Sequence, residues 1–274
     1  ELDRSTRPGE LVQKLPGGVL ICTACGHLCK LRPGQRGICK VRFNEAGVLR
    51  VPFNYAAGVH NDPIEKKPFF HVLPGSSAMS FGMLGCDFHC SYCQNWFTSQ
   101  ALRDDASTLN FSSITAAEIC DLAEQRGSKS VISTYNEPLI TSEWAVEVFR
   151  AAKERGLRTG YVSNGHGTPE VLEYLQPWLD LFKIDLKSFS AKNYRRLGGN
   201  LDAALETIRQ VHAMGFWTEI VTLVVPDYND SDEELTQMAE FIAGVSVDIP
   251  WHVTGFYPTY KMTDRESTPA ATLL

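Results

Sequence analysis

The chain has 274 residues, of which 43% are hydrophobic and 21% are charged, and its formal net charge is −6. This composition is typical of a soluble globular protein, and no stretch is basic enough to indicate a nucleic-acid partner. No apolar run approaches the ~18 residues of a membrane span and the charged N-terminus does not resemble a secretory signal, so we expect a cytoplasmic protein without a membrane partner.

Residues 1–75 predict a Cys-rich cap with little regular structure. Gly, Pro and Cys dominate residues 16–39, and a hairpin is predicted over 40–53 around the turn NEAG. The stretch 62–76 carries prolines, glycine and two lysines, which predicts a linker that crosses to the next domain.

From residue 76 to residue 274 the pattern predicts alternating strands and helices. The predicted strands are 78–85, 130–138, 158–164, 179–187, 216–225 and 248–258, and the predicted helices are 114–127, 141–156, 168–175, 201–215 and 232–244. Such alternation indicates a parallel sheet covered by helices. A full eight-unit barrel needs about 250 residues, so we expect an α/β fold with an incomplete barrel of six units.

Eight cysteines fall into two groups and one single residue. Clustering without a secretory signal favours metal or cluster ligation over disulfides, in a reducing and low-oxygen interior. Cys120 lies on a predicted helix face, where packing is its expected role. The two groups are Cys22, Cys25, Cys29 and Cys39 in the cap, and Cys86, Cys90 and Cys93 in the barrel region.

The second group forms a CxxxCxxC motif directly after the first predicted barrel strand. Active sites of β/α barrels lie at this end of the strands. Three thiolates in one loop suit three corners of a 4Fe–4S cluster and leave one iron open, whereas a closed zinc site needs a fourth protein ligand. His89 is a candidate for that ligand, but its neighbours leave it little freedom, so we favour a catalytic cluster over structural zinc.

These motifs resemble those of the radical S-adenosylmethionine (SAM) superfamily, with the aromatic Tyr92 before the third cysteine. The segments DPIEKKPFFHVLPGS, GCDFHCSYCQNW, STYNEP, VSNG, DLKSF and PWHVTGFYP are similar, in this order, to the pyruvate formate-lyase activating enzyme-like branch. Within that branch, the closest resemblance is to AmmeMemoRadiSam-system radical SAM enzymes. The resemblance implies a partial (β/α)6 TIM-like barrel of radical SAM type, in which a 4Fe–4S cluster reductively cleaves SAM to a 5′-deoxyadenosyl radical.

The resemblance further implies an oxidoreductase that takes electrons from a low-potential flavodoxin- or ferredoxin-like donor. It also implies a set of SAM-binding residues near the strand ends, namely Tyr92, Asn136, Glu137, Ser163, Asn164, Asp185, Lys187 and His252. Tyr-Asn precedes Glu137 where the family has two glycines, which puts backbone contacts there in doubt. Structural alternatives remain open: a loop carboxylate, a plain turn at 163–164, an ion pair at 185 and 187, and a core histidine at 252. Further expectations place Leu223 and Val225 on the adenine and His166 on the substrate side.

The four cap cysteines suit either a zinc ion or a second iron–sulfur cluster. The cap is too short for its own hydrophobic core, so we expect this metal to have a structural role.

The sequence does not identify the substrate, and three hypotheses about the function remain. The activating-enzyme resemblance implies a glycine of a partner protein, whereas the AmmeMemoRadiSam resemblance implies another substrate within a multi-protein system. A non-catalytic iron–sulfur electron carrier is the alternative from a different class, and the polar residues at the strand ends speak against it. The chain ends soon after the last predicted strand, so we expect part of the substrate pocket to be missing.

Overall fold

The computed structural model describes residues 2–274. The strands of this part of the chain are β1 (Thr6–Pro8), β2 (Val12–Lys14), β3 (Leu20–Cys22), β4 (Lys30–Leu31), β5 (Phe43–Glu45), β6 (Val48–Pro52), β7 (Tyr55–Ala56), β8 (Gly58–Pro63), β9 (Ser77–Gly82), β10 (Ser112–Ser113), β11 (Ser130–Ser133), β12 (Arg158–Ser163), β13 (Leu181–Asp185), β14 (Trp217–Val224) and β15 (Trp251–Gly255). Its helices are α1 (Trp96–Ser99), α2 (Ala116–Gln125), α3 (Ser142–Glu154), α4 (Pro169–Leu175), α5 (Ala191–Leu197), α6 (Leu201–Ala213) and α7 (Asp232–Val245).

Six parallel strands form the main sheet, in the order β15-β14-β13-β12-β11-β9. Strand β8 joins this sheet beside β9 in the antiparallel direction. Parallel neighbours need crossover connections, and helices α2, α3, α4, α6 and α7 lie within these connections. The arrangement confirms the predicted α/β fold with a partial (β/α)6 barrel.

Local sequence signals explain why the helices begin where they do. Thr115 and Glu118 form a capping box at the start of α2, and Asn200 and Ser231 cap α6 and α7 with their side chains. Helix α4 has Pro169 at its first position, where the missing N–H costs no hydrogen bond. These signals lie at the predicted helices, which is why the periodic pattern located them.

The cap contains more regular structure than the sequence predicts. Strands β1, β6 and β5 form one small antiparallel sheet, and β2, β3 and β4 form another. The predicted hairpin is present as β5 and β6, whose two-residue turn has positive φ at Ala46 and Gly47. Strand β8 was predicted as part of the cap and linker, yet it pairs along its length with β9. The division at residues 75 and 76 remains a proposal, and this pairing favours a boundary nearer to residue 57.

The cap is joined to the barrel by a buried ion pair as well as by apolar packing. Arg42 donates two hydrogen bonds to the carboxylate of Glu143 on α3, at 2.6 and 2.7 Å, and both side chains are fully buried. Leu11 and Leu49 of the cap belong to the same hydrophobic cluster as the barrel residue Trp144. Across residues 2–274, the helices are all too short or too polar to cross a membrane.

Candidate active site

A cavity of about 470 Å³ opens at the carboxyl ends of the parallel strands, and we call it the central cavity. Its walls combine the cysteine motif with polar residues that follow three different strands. The predicted residues that line it are Cys86, Cys90, Cys93, Tyr92, Asn136, Glu137, Ser163, Asn164, Asp185, Lys187 and Leu223. The fold therefore brings together nearly all of the predicted site, from positions as distant in the sequence as Cys86 and Leu223.

Residues 86–93, the cysteine loop, follow the end of β9. Gly85 has φ +91°, and a Cβ there would lie 2.8 Å from the carbonyl oxygen of Cys39, so the chain needs glycine where the loop passes the cap. The Phe88 N–H donates to the sulfur of Cys86 at 3.4 Å, and the hydroxyl of Ser99 lies 3.1 Å from the sulfur of Cys93. The loop thus presents three sulfurs to the central cavity.

The three thiols fit a cluster that leaves one coordination position open. Burial raises the pKa of all three, that of Cys90 to about 12, so a bound metal would be needed to hold them as thiolates. Among residues 2–274, no His, Cys, Asp or Glu joins any two of these sulfurs in a group with mutual ligand distances under 4.8 Å. His89 lies against Gly198 rather than among the sulfurs. A closed tetrahedral zinc site is therefore not formed here.

On the opposite wall, Asp185 lies between two lysines. Lys187 donates to its carboxylate at 3.2 Å and Lys183 also bonds it, as expected for residues that alternate along one face of β13 and beyond. Burial opposes ionisation, but the two lysines lower the pKa of Asp185 to about 2. Lys183 was not predicted from the sequence. It lies two residues before Asp185, so the alternation along the strand that relates Asp185 to Lys187 also predicts it.

Glu137 connects the ends of β11 and β12. Its carboxylate accepts hydrogen bonds from the Ser163 hydroxyl at 2.6 Å, the Asn164 N–H at 2.7 Å and the Leu139 N–H at 3.1 Å. Burial, together with the charge of Asp87, raises the pKa of Glu137 to about 8. The carboxyl group is thus both a structural anchor of the loop and part of the cavity wall.

Asn164 binds the cysteine loop, and Asn136 binds the segment just before it. The Asn136 side chain accepts from the Met83 N–H at 3.0 Å, and that of Asn164 donates to Asp87 at 2.8 Å. Both side chains line the central cavity while their polar atoms make these bonds. Their predicted contacts with SAM remain a prediction.

Two further residues of the cavity wall, Tyr135 and Lys67, were not predicted. Tyr135 has φ +72°, unusual for a residue with a side chain, and its hydroxyl accepts from the buried Lys67 at 2.8 Å. A Cβ at Gly82 would lie 2.6 Å from the Thr134 carbonyl oxygen, so glycine allows this turn to approach β9. The motifs STYNEP and DPIEKKP contain these residues, but their pairing is a contact that sequence spacing does not reveal.

Three expected residues lie elsewhere. His252 sits near the start of β15, where its Nε2 is 2.7 Å from the buried carboxylate of Glu219, and it does not line the central cavity. Val225 is fully buried and does not line it either. His166, expected on the substrate side, is buried and faces the cap. The sequence does not show where along its strand His252 lies. Strand β15 begins only one residue before it, so His252 is near the amino end of the strand, whereas the cavity is at the carboxyl ends.

The cap cysteines are largely buried and free of disulfides. The guanidinium of Arg42 donates to the sulfur of Cys22 at 3.1 Å, and burial raises the pKa of Cys25, Cys29 and Cys39, the last to about 11. In a tetrahedral zinc site with Zn–S of ~2.3 Å, the sulfurs are ~3.8 Å apart. In the described part of the chain, no three of the four sulfurs lie within 4.8 Å of one another, and neither do the three sulfurs of the cysteine loop.

Comparison with known proteins agrees with this geometry. A profile of the Radical SAM superfamily matches residues 82–241, from the end of β9 into α7. An uncharacterized protein of Methanocaldococcus jannaschii is 33% identical over 275 residues, which cover 97% of this chain and 79% of that protein. The pyruvate formate-lyase-activating enzyme of Clostridium pasteurianum is 24% identical over 212 residues, which cover 71% of this chain and 85% of that enzyme.

Solved structures share the fold. The crystal structure of Streptococcus suis SuiB is similar with a TM-score of 0.51 and 17% sequence identity, and the match covers 69% of this chain and 41% of that chain. At this identity the likeness concerns the fold alone.

Proposed function

The chain belongs to the radical SAM superfamily, and from this premise we propose that it is an activating-enzyme-like radical SAM oxidoreductase. Membership implies a 4Fe–4S cluster and SAM, and we assign the cluster to Cys86, Cys90 and Cys93. When bound, the pair supplies a 5′-deoxyadenosyl radical that takes a hydrogen atom from the substrate. The observation that carries this assignment is the convergence of three cysteines and the strand-end polar residues on one cavity.

The chain's own residues would bind and orient SAM. The carboxyl of Glu137 faces the central cavity and is the acceptor we assign to the SAM ammonium, a charge-assisted contact. Lys183 and Lys187 exceed Asp185 by one positive charge, which suits the SAM carboxylate. Ser163, Asn164 and Tyr92 complete the proposed wall, whereas His252, predicted to lie near the ribose, stands outside it. A surrounding wall also excludes water from a reactive intermediate.

For the substrate, we propose a glycine of a partner protein, with electrons from a low-potential flavodoxin- or ferredoxin-like donor. The support is the similarity to enzymes named as lyase-activating enzymes, which covers 71% of the chain in one case and 65% in another. Deuteration of the partner's glycines should carry deuterium into 5′-deoxyadenosine. Transfer from a small molecule, or from another part of the partner, would contradict this assignment.

A non-catalytic iron–sulfur electron carrier is disfavoured by the central cavity itself. A carrier has no need for a cavity of about 470 Å³ beside its cluster, nor for buried lysines and carboxyl groups in its wall. The deciding test is anaerobic reconstitution followed by addition of SAM and dithionite, with 5′-deoxyadenosine measured. The wild type should form it and Cys90→Ala should not; no product from the wild type would refute the proposal.

We further propose that the cap cysteines hold a second iron–sulfur cluster rather than zinc. No three of the four sulfurs lie within 4.8 Å of one another in the described chain, which supports this proposal, because thiolates on different irons of a cluster lie further apart than thiolates on one zinc ion. With two 4Fe–4S clusters, metal analysis should find about eight irons per chain and no zinc. Cys25→Ser should lose about four of them, and one zinc with about four irons in the wild type would instead support the zinc alternative.

A further inference from the structure

His166 lies between the cap cysteines and the cysteine loop. It follows β12, and its side chain is 1% exposed. Its Nδ1 is 3.0 Å from one carboxylate oxygen of Asp87, whose other oxygen accepts from Asn164 at 2.8 Å. Asp87 is fully buried and directly follows Cys86, so one side of the imidazole contacts the loop assigned to the catalytic cluster.

The other side of the ring faces the cap. The Gly26 N–H donates to the His166 carbonyl at 2.8 Å, and a Cβ at Gly26 would lie 2.8 Å from Nε2, so the two segments are in close contact. The sulfur of Cys25, a ring nitrogen of His166 and a carboxylate oxygen of Asp87 all lie within 4.8 Å of one another. The three groups therefore form one continuous buried set that spans the cap and the barrel.

Nε2 of His166 is a buried polar atom without a hydrogen-bond partner in the described chain. Buried polar atoms are nearly always satisfied, and an exception calls for a bound group that the protein atoms do not include. The neighbouring Cys25 is one of the four cysteines that we assign to the second cluster. A cluster there would bring thiolate and sulfide acceptors close to the ring, since one ring nitrogen lies within 4.8 Å of the Cys25 sulfur.

We propose that His166 contacts the cap cluster through Nε2 and, held by Asp87 through Nδ1, connects the two metal centres as a positioning residue. This rests on the proposed second cluster. Outer partners of this kind, a carboxylate that fixes an imidazole beside a metal centre, are a recurrent feature of metalloproteins. Arg42 provides a parallel on another cap cysteine, since its guanidinium already donates to the sulfur of Cys22.

The contact has a measurable consequence for the cap cluster. Hydrogen bonds to cluster sulfurs and the charge around a cluster set its reduction potential. The Nδ1 side of the ring is taken up by the carboxylate of Asp87, so Nε2 is the ring atom left to donate a hydrogen bond to a cluster sulfur. Loss of this donor should make the cap cluster harder to reduce.

Two variants separate this role from a merely structural one. The amide nitrogen of asparagine takes the place of Nδ1, whereas that of glutamine takes the place of Nε2. The experiment is an EPR-monitored redox titration of the anaerobically reconstituted full chain, as wild type, His166→Asn and His166→Gln. The cap signal is identified as the one that SAM does not change and that Cys25→Ser removes.

We expect His166→Asn to lower the midpoint potential of the cap cluster, and His166→Gln to stay closer to the wild type, with about eight irons in all three proteins. Equal potentials in the three proteins, or equal shifts in both variants, would overturn the role of Nε2. A wild type with about four irons and no cap signal would overturn the second cluster and this inference together. The radical SAM function is tested separately, by 5′-deoxyadenosine, and does not depend on either result.

Discussion

In the described chain, neither the cap cysteines nor the cysteine loop holds three sulfurs within 4.8 Å of one another, but the two groups differ in their surroundings. The four cap cysteines, one of which accepts a hydrogen bond from the buried Arg42, do not line the central cavity, whereas all three cysteines of the loop line it. Four ligands without access suit a closed centre, and three ligands beside a cavity suit an open one. Ligand number and access to the cavity are therefore the two features by which we assign the reactive centre to the cysteine loop and a closed centre to the cap.

The largest expected effect on stability concerns the attachment of the cap. Arg42→Ala would leave the carboxylate of Glu143 buried without its partner, and we expect a loss of about 3–5 kcal/mol in the free energy of unfolding. Urea denaturation of the reconstituted protein measures it. Arg50→Ala is the control, because Arg50 pairs with the exposed Glu45 at 3.5 Å and such pairs contribute about 0–1 kcal/mol. Equal losses in the two variants would show that the buried pair does not anchor the cap.

The lysines beside Asp185 provide a test of the proposed SAM site. Lys187→Met removes one of the two cations beside Asp185, and we expect the dissociation constant of SAM to rise about tenfold, which is ~1.4 kcal/mol. Lys66→Met is the matched control at the cavity wall, since the side chain of Lys66 is 65% exposed and should change affinity little. Anaerobic calorimetry with SAM measures both. Similar affinities for Lys187→Met and the wild type would remove Lys187 from the proposed SAM site.

We expect a smaller loss of stability when the contact between the cap and His166 is disturbed. In Gly26→Ala the new methyl group would meet the His166 ring, and we expect a destabilisation of about 1–3 kcal/mol. Gly244→Ala in α7 meets no atom within 4 Å and should instead stabilise the chain by about 0.5–1 kcal/mol. Thermal unfolding of the two variants checks the difference in sign. A neutral Gly26→Ala would mean that the cap can move away from His166 freely.

The smallest effect is expected at the cysteine that belongs to neither group. Cys120 is fully buried within the hydrophobic core on α2, near the carbonyl oxygen of Val148. Cys120→Ala should leave the iron content unchanged and cost about 1 kcal/mol of stability. Iron analysis beside urea denaturation tests this. A loss of iron would show that Cys120 takes part in metal binding after all.

The barrel was predictable because its signals are local. Helices with a periodic apolar face and a capping residue, such as α2 and α7, were located within a few residues. The cap strands were missed because most have only two or three residues, too few for an alternating pattern. Strand β8 was missed because the motif that begins at its end, DPIEKKP, is typical of a loop.

The residues of the candidate site also fall into those that the sequence could place and those that it could not. Cys86 and Glu137 lie a few residues after β9 and β11, and Asp185 is the last residue of β13, so the parallel topology brings them to one edge of the sheet. The depth of His252 and the contact between His166 and the cap depend on how distant segments pack. No spacing in the sequence encodes these contacts, and they emerged only from the three-dimensional arrangement.

The central claim is that only one of the two cysteine groups forms a centre open to SAM. The most direct measurement is the change in the EPR spectrum when SAM is added to the reduced Cys25→Ser and Cys90→Ala proteins. The account predicts a change in Cys25→Ser, which keeps the cysteine loop, and none in Cys90→Ala, which keeps the cap cysteines. A SAM-induced change in Cys90→Ala, or its absence in a Cys25→Ser protein that retains about four irons, would contradict it.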